Sequence, residues 1–120
     1  MEAFENLYVD GALVVVVNCT RSTMLETDEF KKLIKEEIIS GNNRLVIDLS
    51  KCDYVDSTFF GAIIMTFGMM KEKGFKLKIV RQATLGEDIF STTKTLNIFD
   101  IYKTREEALK SFDKDIQPEN

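Results

Sequence analysis

One stretch, residues 45–74, constrains the fold of this chain more than any other. It begins with the apolar run 45–49, whose length and composition are typical of a buried strand. A polar segment covers residues 50–56, and a long apolar segment then runs from Ser57 until lysines and Gly74 signal the end of a helix. The stretch therefore predicts a strand, a loop and a helix in succession.

Asp56, Ser57 and Thr58 stand at the junction between this loop and this helix. The first N–H groups of a helix have no intrahelical partner, and the helix dipole is positive there. A phosphate on Ser57 would accept hydrogen bonds from such groups, and its charge of about −2 beside Asp56 would oppose an apolar or acidic partner. We expect the chemistry here, although capping the helix is the commoner role for such side chains.

The composition is that of one globular domain of 120 residues, with 44% hydrophobic and 30% charged residues. A net charge of −4 without a basic block argues against nucleic-acid binding. The absence of histidine removes histidine-based catalytic triads and the commonest metal ligand. We expect neither an enzyme nor a cofactor, because the chain also lacks a P-loop and a dinucleotide-binding glycine motif.

The first residues carry no basic signal region, and no apolar run approaches the about 20 residues that span a bilayer. We therefore expect a cytoplasmic protein without membrane insertion. Cys19 and Cys52 lack CxxC spacing, and reduced thiols are the preferred interpretation, with a disulfide left open.

The rest of the chain predicts an α/β domain that opens with a β-hairpin. Asp10 and Gly11 favour a type I′ turn between strands 4–9 and 12–17, because both turn positions need positive φ. The alternation that follows implies a mixed, mostly parallel sheet with helices packed against it. The further predictions are helices at 28–40, 84–95 and 104–112, strands at 76–80 and 98–102, a domain at 1–112 and a flexible tail at 113–120.

The central helix has two apolar faces at 100° per residue. The face predicted to be core comprises Phe59, Phe60, Ile63, Ile64, Phe67 and Met70. The other carries Gly61, Ala62, Met65, Gly68 and Met69. Packing of both faces within the domain is one interpretation. We favour a partner surface, since small residues allow close approach and methionines adapt their shape.

Asp48, Asp53 and Asp56 lie around the end of the third strand, and a carboxylate cluster there would suit Mg²⁺. Such a cluster raises an alternative function, a Mg²⁺-dependent phosphoacceptor that resembles receiver domains and is phosphorylated on Asp48. Simpler interpretations exist for all three: Asp48 belongs to the strand, Asp53 to a turn, and Asp56 caps the helix. Receiver domains also begin with a strand and a helix, whereas this chain begins with a hairpin signal. We therefore expect no metal site.

The segment LVIDLS at 45–50, followed by Tyr54-Val55-Asp56-Ser57-Thr58 and Gly61, resembles the STAS domain, the fold of bacterial anti-sigma factor antagonists. The resemblance covers nearly the whole chain. In that family, the serine after the aspartate is phosphorylated by a cognate anti-sigma factor kinase and dephosphorylated by a phosphatase. Only the unphosphorylated form binds the anti-sigma factor and frees the sigma factor. The resemblance thus implies a non-catalytic switch with Ser57 as phosphoacceptor, or Thr58 as second choice.

Two positions depart from the family pattern. Phe59 stands where the family usually has glycine, and residues 18–22 do not match its Gly-x-Leu/Ile-Asp segment. Phe59 favours an alternative, a STAS scaffold or subunit of a signalling or transport assembly in which Ser57 only caps the helix. The leading hypothesis places Asp53 and Asp56 beside the phosphorylation site. It assigns the partner surface to Phe59, Gly61, Ala62, Met65 and Met69.

Overall fold

The computed structural model describes residues 2–19, 21–81 and 99–115. Its elements in chain order are β1 (Phe4–Val9), β2 (Ala12–Val17), β3 (Arg21–Ser22), α1 (Met24–Ile39), β4 (Arg44–Leu49), β5 (Tyr54–Val55), α2 (Ser57–Glu72), β6 (Lys76–Arg81), β7 (Asp100–Tyr102) and α3 (Arg105–Asp115). The predicted helix at 84–95 lies outside the described residues.

The main sheet has five strands in the order β1-β2-β4-β6-β7. β1 is antiparallel to β2, and the remaining neighbours are parallel. The hairpin turn has positive φ at Asp10 (51°) and Gly11 (80°), as the sequence predicts. The predicted fold class, a mixed and mostly parallel α/β sheet with packed helices, is confirmed.

Helices cover both faces of this sheet. One face packs against α1 and α2 in a core that includes Leu13, Ile47 and Phe30. The other face packs against α3, where Val46 meets Ala108 and Phe112. All six residues of β2 are buried because both of its faces are covered, which its continuous apolar sequence predicts.

Several predicted boundaries need correction. α1 begins at Met24, not at the predicted Asp28, because Thr23 and Glu26 form a capping box at its start. The two-residue strands β3 and β5 lie in segments for which no strand was predicted, and they form a separate parallel pair. α3 continues to Asp115, beyond the predicted end at Phe112.

The central helix α2 is rotated relative to its predicted orientation, because a different set of residues faces the core. Its buried residues are Phe59, Phe60, Ala62, Ile63, Thr66 and Met70. Ile64, which was predicted to be core, is 42% exposed. Thr66 is buried, and its hydroxyl is satisfied because it donates a hydrogen bond to the carbonyl of Ala62 at 2.9 Å. Burial of this hydroxyl and of the small Ala62 shifts the helix face that meets the core.

Candidate functional site

Two short strands bring the starts of two helices together. β3 pairs with β5 in parallel, with Arg21 opposite Tyr54 and Ser22 opposite Val55. Thr23 follows β3 and caps α1, while Asp56 follows β5 and caps α2. Because the strands are parallel and each is followed by a single cap residue, both helices begin at the same end of the pair, with their positive dipole ends close together.

Asp56 is hydrogen-bonded to both helices. Its Oδ1 accepts from the backbone N–H of Phe59 at 2.8 Å, which is the N-cap bond predicted for α2. Its Oδ2 accepts from the backbone N–H of Met24, the first residue of α1, at 2.9 Å. The second bond was not predicted, because it depends on pairing between segments more than 30 residues apart in the chain.

Ser57 and Thr58 are exposed and form the first two positions of α2. Their hydroxyls make no hydrogen bond within the described part of the chain. Asp56 supplies the helix cap, so the interpretation of Ser57 as the capping residue is wrong. Ser57 is therefore a free hydroxyl on a helix start that already has its cap.

Other charged and aromatic groups surround this site. Asp53 is exposed in the loop before β5. The guanidinium of Arg21 lies over the ring of Tyr54, 4.3 Å from its centroid. Such a contact holds an exposed cation in place at the edge of the site. Arg21 was not among the predicted site residues, because no strand was predicted at its position.

Asp48 lies apart from these groups. Strand alternation places it on the same side of the sheet as Val46, toward α3. It is 2% exposed, and its Oδ2 pairs with Nη2 of Arg105 at 2.8 Å and with Nε at 2.9 Å. The described residues include no group of three acidic, cysteine or histidine side chains that could hold a metal. Asp48 is thus occupied by α3 and is not presented as a receiver-like phosphoacceptor.

The predicted partner surface on α2 is only partly exposed. Phe59 is 0% exposed and Ala62 is 1% exposed, so their assignment to an exposed surface is wrong. Phe59 packs against Phe30 and Phe4, with ring centroids 4.8 and 6.3 Å away. Of the other predicted residues, Gly61 and Met65 are exposed and Met69 is half-buried.

The exposed apolar stripe of α2 consists of Gly61, Ile64, Met65 and Gly68. Two further apolar side chains are exposed on the first turn of α1, namely Met24 at 65% and Leu25 at 86%. They were missed because the predicted helix began four residues too late. The signal that would have found them is the capping-box spacing from Thr23 to Glu26.

Both cysteines are free thiols, as the sequence analysis preferred. Cys52 is buried, with Sγ 3.8 Å from the carbonyl oxygen of Val17. Cys19 is half-buried near the start of α1. Burial, followed by the carboxylates of Glu26 and Glu29, raises the pKa of the Cys19 thiol.

Comparison with known families gives a match over most of the chain. The model of the STAS domain matches residues 7–108. No protein of curated function matches the sequence significantly. No described helix has both the length and the apolar character that crossing a membrane requires.

Solved structures share the fold. A candidate anti-sigma factor antagonist from Thermotoga maritima is 25% identical, with a TM-score of 0.77 over 90% of this chain and 92% of its own. An anti-sigma factor antagonist from Mycobacterium paratuberculosis is 21% identical, with a TM-score of 0.81 over 90% and 91%. The Bacillus cell fate determinant SpoIIAA in its phosphorylated form is 13% identical, with a TM-score of 0.71 over 92% and 99%.

Proposed function

This chain belongs to the STAS domain family, and on that premise we propose that it is a non-catalytic protein-binding switch of the anti-sigma factor antagonist type. Phosphorylation of Ser57 controls the switch, with Thr58 as the second choice of site. The partners are an anti-sigma factor or related serine kinase, which binds the unphosphorylated form, and a phosphatase that restores it. The proposal includes a cytoplasmic location, which the two free thiols support.

The exposed, unbonded hydroxyl of Ser57 is the observation that carries this proposal. A kinase must bring this oxygen into line with the γ-phosphate of its nucleotide. Transfer of a phosphoryl group to a capping hydroxyl would remove a helix cap, but here the cap belongs to Asp56. Ser57 therefore accepts and loses a phosphate without a large change in the stability of α2.

The apolar stripe of α2 provides the docking surface in this proposal. It runs along the helix from the turn that carries Ser57. Burying a phosphate of charge about −2 at the edge of an apolar interface costs several kcal/mol unless cations compensate it. The unphosphorylated form is therefore the binding form.

The alternative of an unphosphorylated scaffold rests on Phe59, which stands where the family usually has glycine. The ring lies inside the core, 0% exposed, and fills space between Phe4 and Phe30. It does not compete with a kinase for the surface around Ser57. The departure from the family glycine therefore no longer favours the scaffold.

The first test is to isolate the protein from its native cells and locate phosphate by intact mass and peptide mapping. We expect one phosphate on Ser57 that is absent from Ser57→Ala and retained in the matched variant Thr58→Ala. Phosphate on Thr58 alone would move the site by one residue. Unmodified protein under every growth condition would contradict the switch and favour the scaffold.

The second test measures binding of the partner identified with the kinase activity. Ser57→Asp is expected to weaken binding at least about tenfold, since a buried charge without a partner costs more than 1.4 kcal/mol. Thr58→Ala is the control, because it changes the neighbouring exposed hydroxyl without adding charge. Equal affinity of Ser57→Asp and the unaltered protein would contradict the proposal.

A further inference from the structure

The starts of α1 and α2 correspond residue by residue. Ser22 lies opposite Val55 in the parallel pair of β3 and β5. Each strand is followed by one cap residue, Thr23 or Asp56, and then by the first residue of a helix. The 2.9 Å bond from the Met24 N–H to Asp56 shows that the two helix starts are neighbours.

The first three N–H groups of α1 have different partners. The N–H of Leu25 donates to the Thr23 hydroxyl at 3.3 Å, and that of Glu26 donates to the Thr23 carbonyl at 3.1 Å. Both bonds are made within α1 and its own cap. The N–H of Met24 donates at 2.9 Å to Asp56, which belongs to the other helix. Among the hydrogen bonds of the described residues, this one ties the first turn of α1 to the residue that precedes Ser57.

We propose that Asp56 is a positioning residue that couples Ser57 to the first turn of α1, and that a phosphate on Ser57 releases the Met24 N–H from Asp56. The inference rests on the proposed phosphorylation of Ser57. The phosphate adds a charge of about −2 next to the Asp56 carboxylate and is a strong acceptor for the same N–H groups. The carboxylate and the phosphate therefore compete for the two converging helix starts.

Release of this bond acts on an exposed apolar surface. Met24 and Leu25 stand on the turn that Asp56 holds, and their side chains are 65% and 86% exposed. Thr23 and Glu26 keep the helix itself capped, so α1 does not unfold. Phosphorylation therefore changes how the first turn of α1 is held against α2, in addition to placing charge beside the stripe of α2.

The test measures amide hydrogen exchange by NMR on the purified protein, with Met24 and Phe59 as the two reporters. Asp56→Asn retains one acceptor oxygen, and asparagine is as good a helix cap as aspartate. We expect the Phe59 amide to keep its protection while the Met24 amide exchanges about tenfold faster, as loss of a bond to a charged acceptor implies. Two results would show that the bond to Asp56 does not hold this turn. The Met24 amide could be equally protected in Asp56→Asn and in the unaltered protein, or it could lack protection in the unaltered protein.

The coupling is tested on protein phosphorylated at Ser57 and on Ser57→Glu, with Thr58→Glu as the matched charge control. We expect faster exchange at Met24 in the first two and no change in Thr58→Glu. Amides of β2, buried on both faces, serve as the control for global unfolding. A Met24 amide that stays protected after phosphorylation would overturn the coupling.

The two proposals fail in different measurements. Absence of phosphate from both Ser57 and Thr58 in native cells contradicts the proposed function, whereas the Asp56→Asn exchange result is independent of it. Conversely, Ser57 phosphorylation with an unchanged Met24 amide leaves the switch standing and removes the coupling.

Discussion

Asp48 and Asp56 tie helix starts to the ends of strands in opposite ways. Asp48 is buried and pairs with the side chain of Arg105 at the start of α3. Asp56 is half-buried and accepts from backbone N–H groups at the starts of α1 and α2. Both carboxylates are fully engaged, yet only Asp56 is followed by exposed hydroxyls. The two carboxylates therefore differ in their surroundings: Asp48 is enclosed by α3, whereas the residues that follow Asp56 are open to solvent.

The largest effect is expected beneath the Asp56 site, where Phe59 packs on Phe30. Phe59→Ala removes a fully buried ring and is expected to lower the free energy of unfolding by about 4 kcal/mol in urea denaturation. The matched control is Ile64→Ala on the exposed stripe of the same helix, with an expected loss below about 1 kcal/mol. Equal losses would mean that α2 is not rotated as described.

The next largest loss of stability is expected at Asp48, the buried carboxylate. Asp48→Ala removes the partner of Arg105 and one acceptor of the Ser50 N–H. We expect a loss of about 3 kcal/mol in the free energy of unfolding, measured in the same way. The exposed Asp53 provides the control, since Asp53→Ala should change stability by less than about 0.5 kcal/mol. A loss no larger than that of Asp53→Ala would contradict a structural role for Asp48.

A smaller effect is expected at Asp56. Asp56→Ala removes a helix cap and the bond to Met24, so it should cost about 2 kcal/mol of stability. Ser57→Ala, one residue further, should cost less than about 0.5 kcal/mol because its hydroxyl holds no described partner. The reverse order of the two losses would mean that Ser57 caps α2 after all.

The smallest effect is expected on the reactivity of the Cys19 thiol, which depends on the charge around the start of α1. The pKa of the Cys19 thiol is raised by burial and then by Glu26 and Glu29. The folded state therefore favours the protonated thiol, and the stability this contributes is lost as pH rises through the raised pKa. At pH about 8, Cys19 should react with a disulfide reagent more slowly than in the unfolded chain, because less thiolate is present.

Glu29→Gln should speed that reaction by removing one carboxylate near the thiol. Lys32→Gln, on the same helix, is a control with a charge change and no part in the raised pKa of Cys19. An unchanged rate in Glu29→Gln would contradict a contribution of Glu29 to the raised pKa of the Cys19 thiol.

Local signals in the sequence determined much of this protein. Asp10 and Gly11 predicted the hairpin through their positive φ, and β-branched residues predicted the doubly covered strand β2. The junction of the loop and the apolar helix predicted that Ser57 lies at the start of a helix, and a capping role was predicted for Asp56. These features depend on residues close together in the chain, so pattern and local propensity suffice to find them. The capping box from Thr23 to Glu26 is equally local, so the start of α1 also belongs to what the sequence determines.

Tertiary structure decided the features that depend on distant segments. The pairing of β3 with β5 brings Met24 to Asp56, and nothing near either residue in the chain specifies that contact. The rotation of α2, which buries Phe59 and Ala62 and exposes Ile64, follows from the shape of the core. Because this helix is apolar on nearly every side, periodicity alone does not choose the face that turns inward, and packing against α1 and the sheet does.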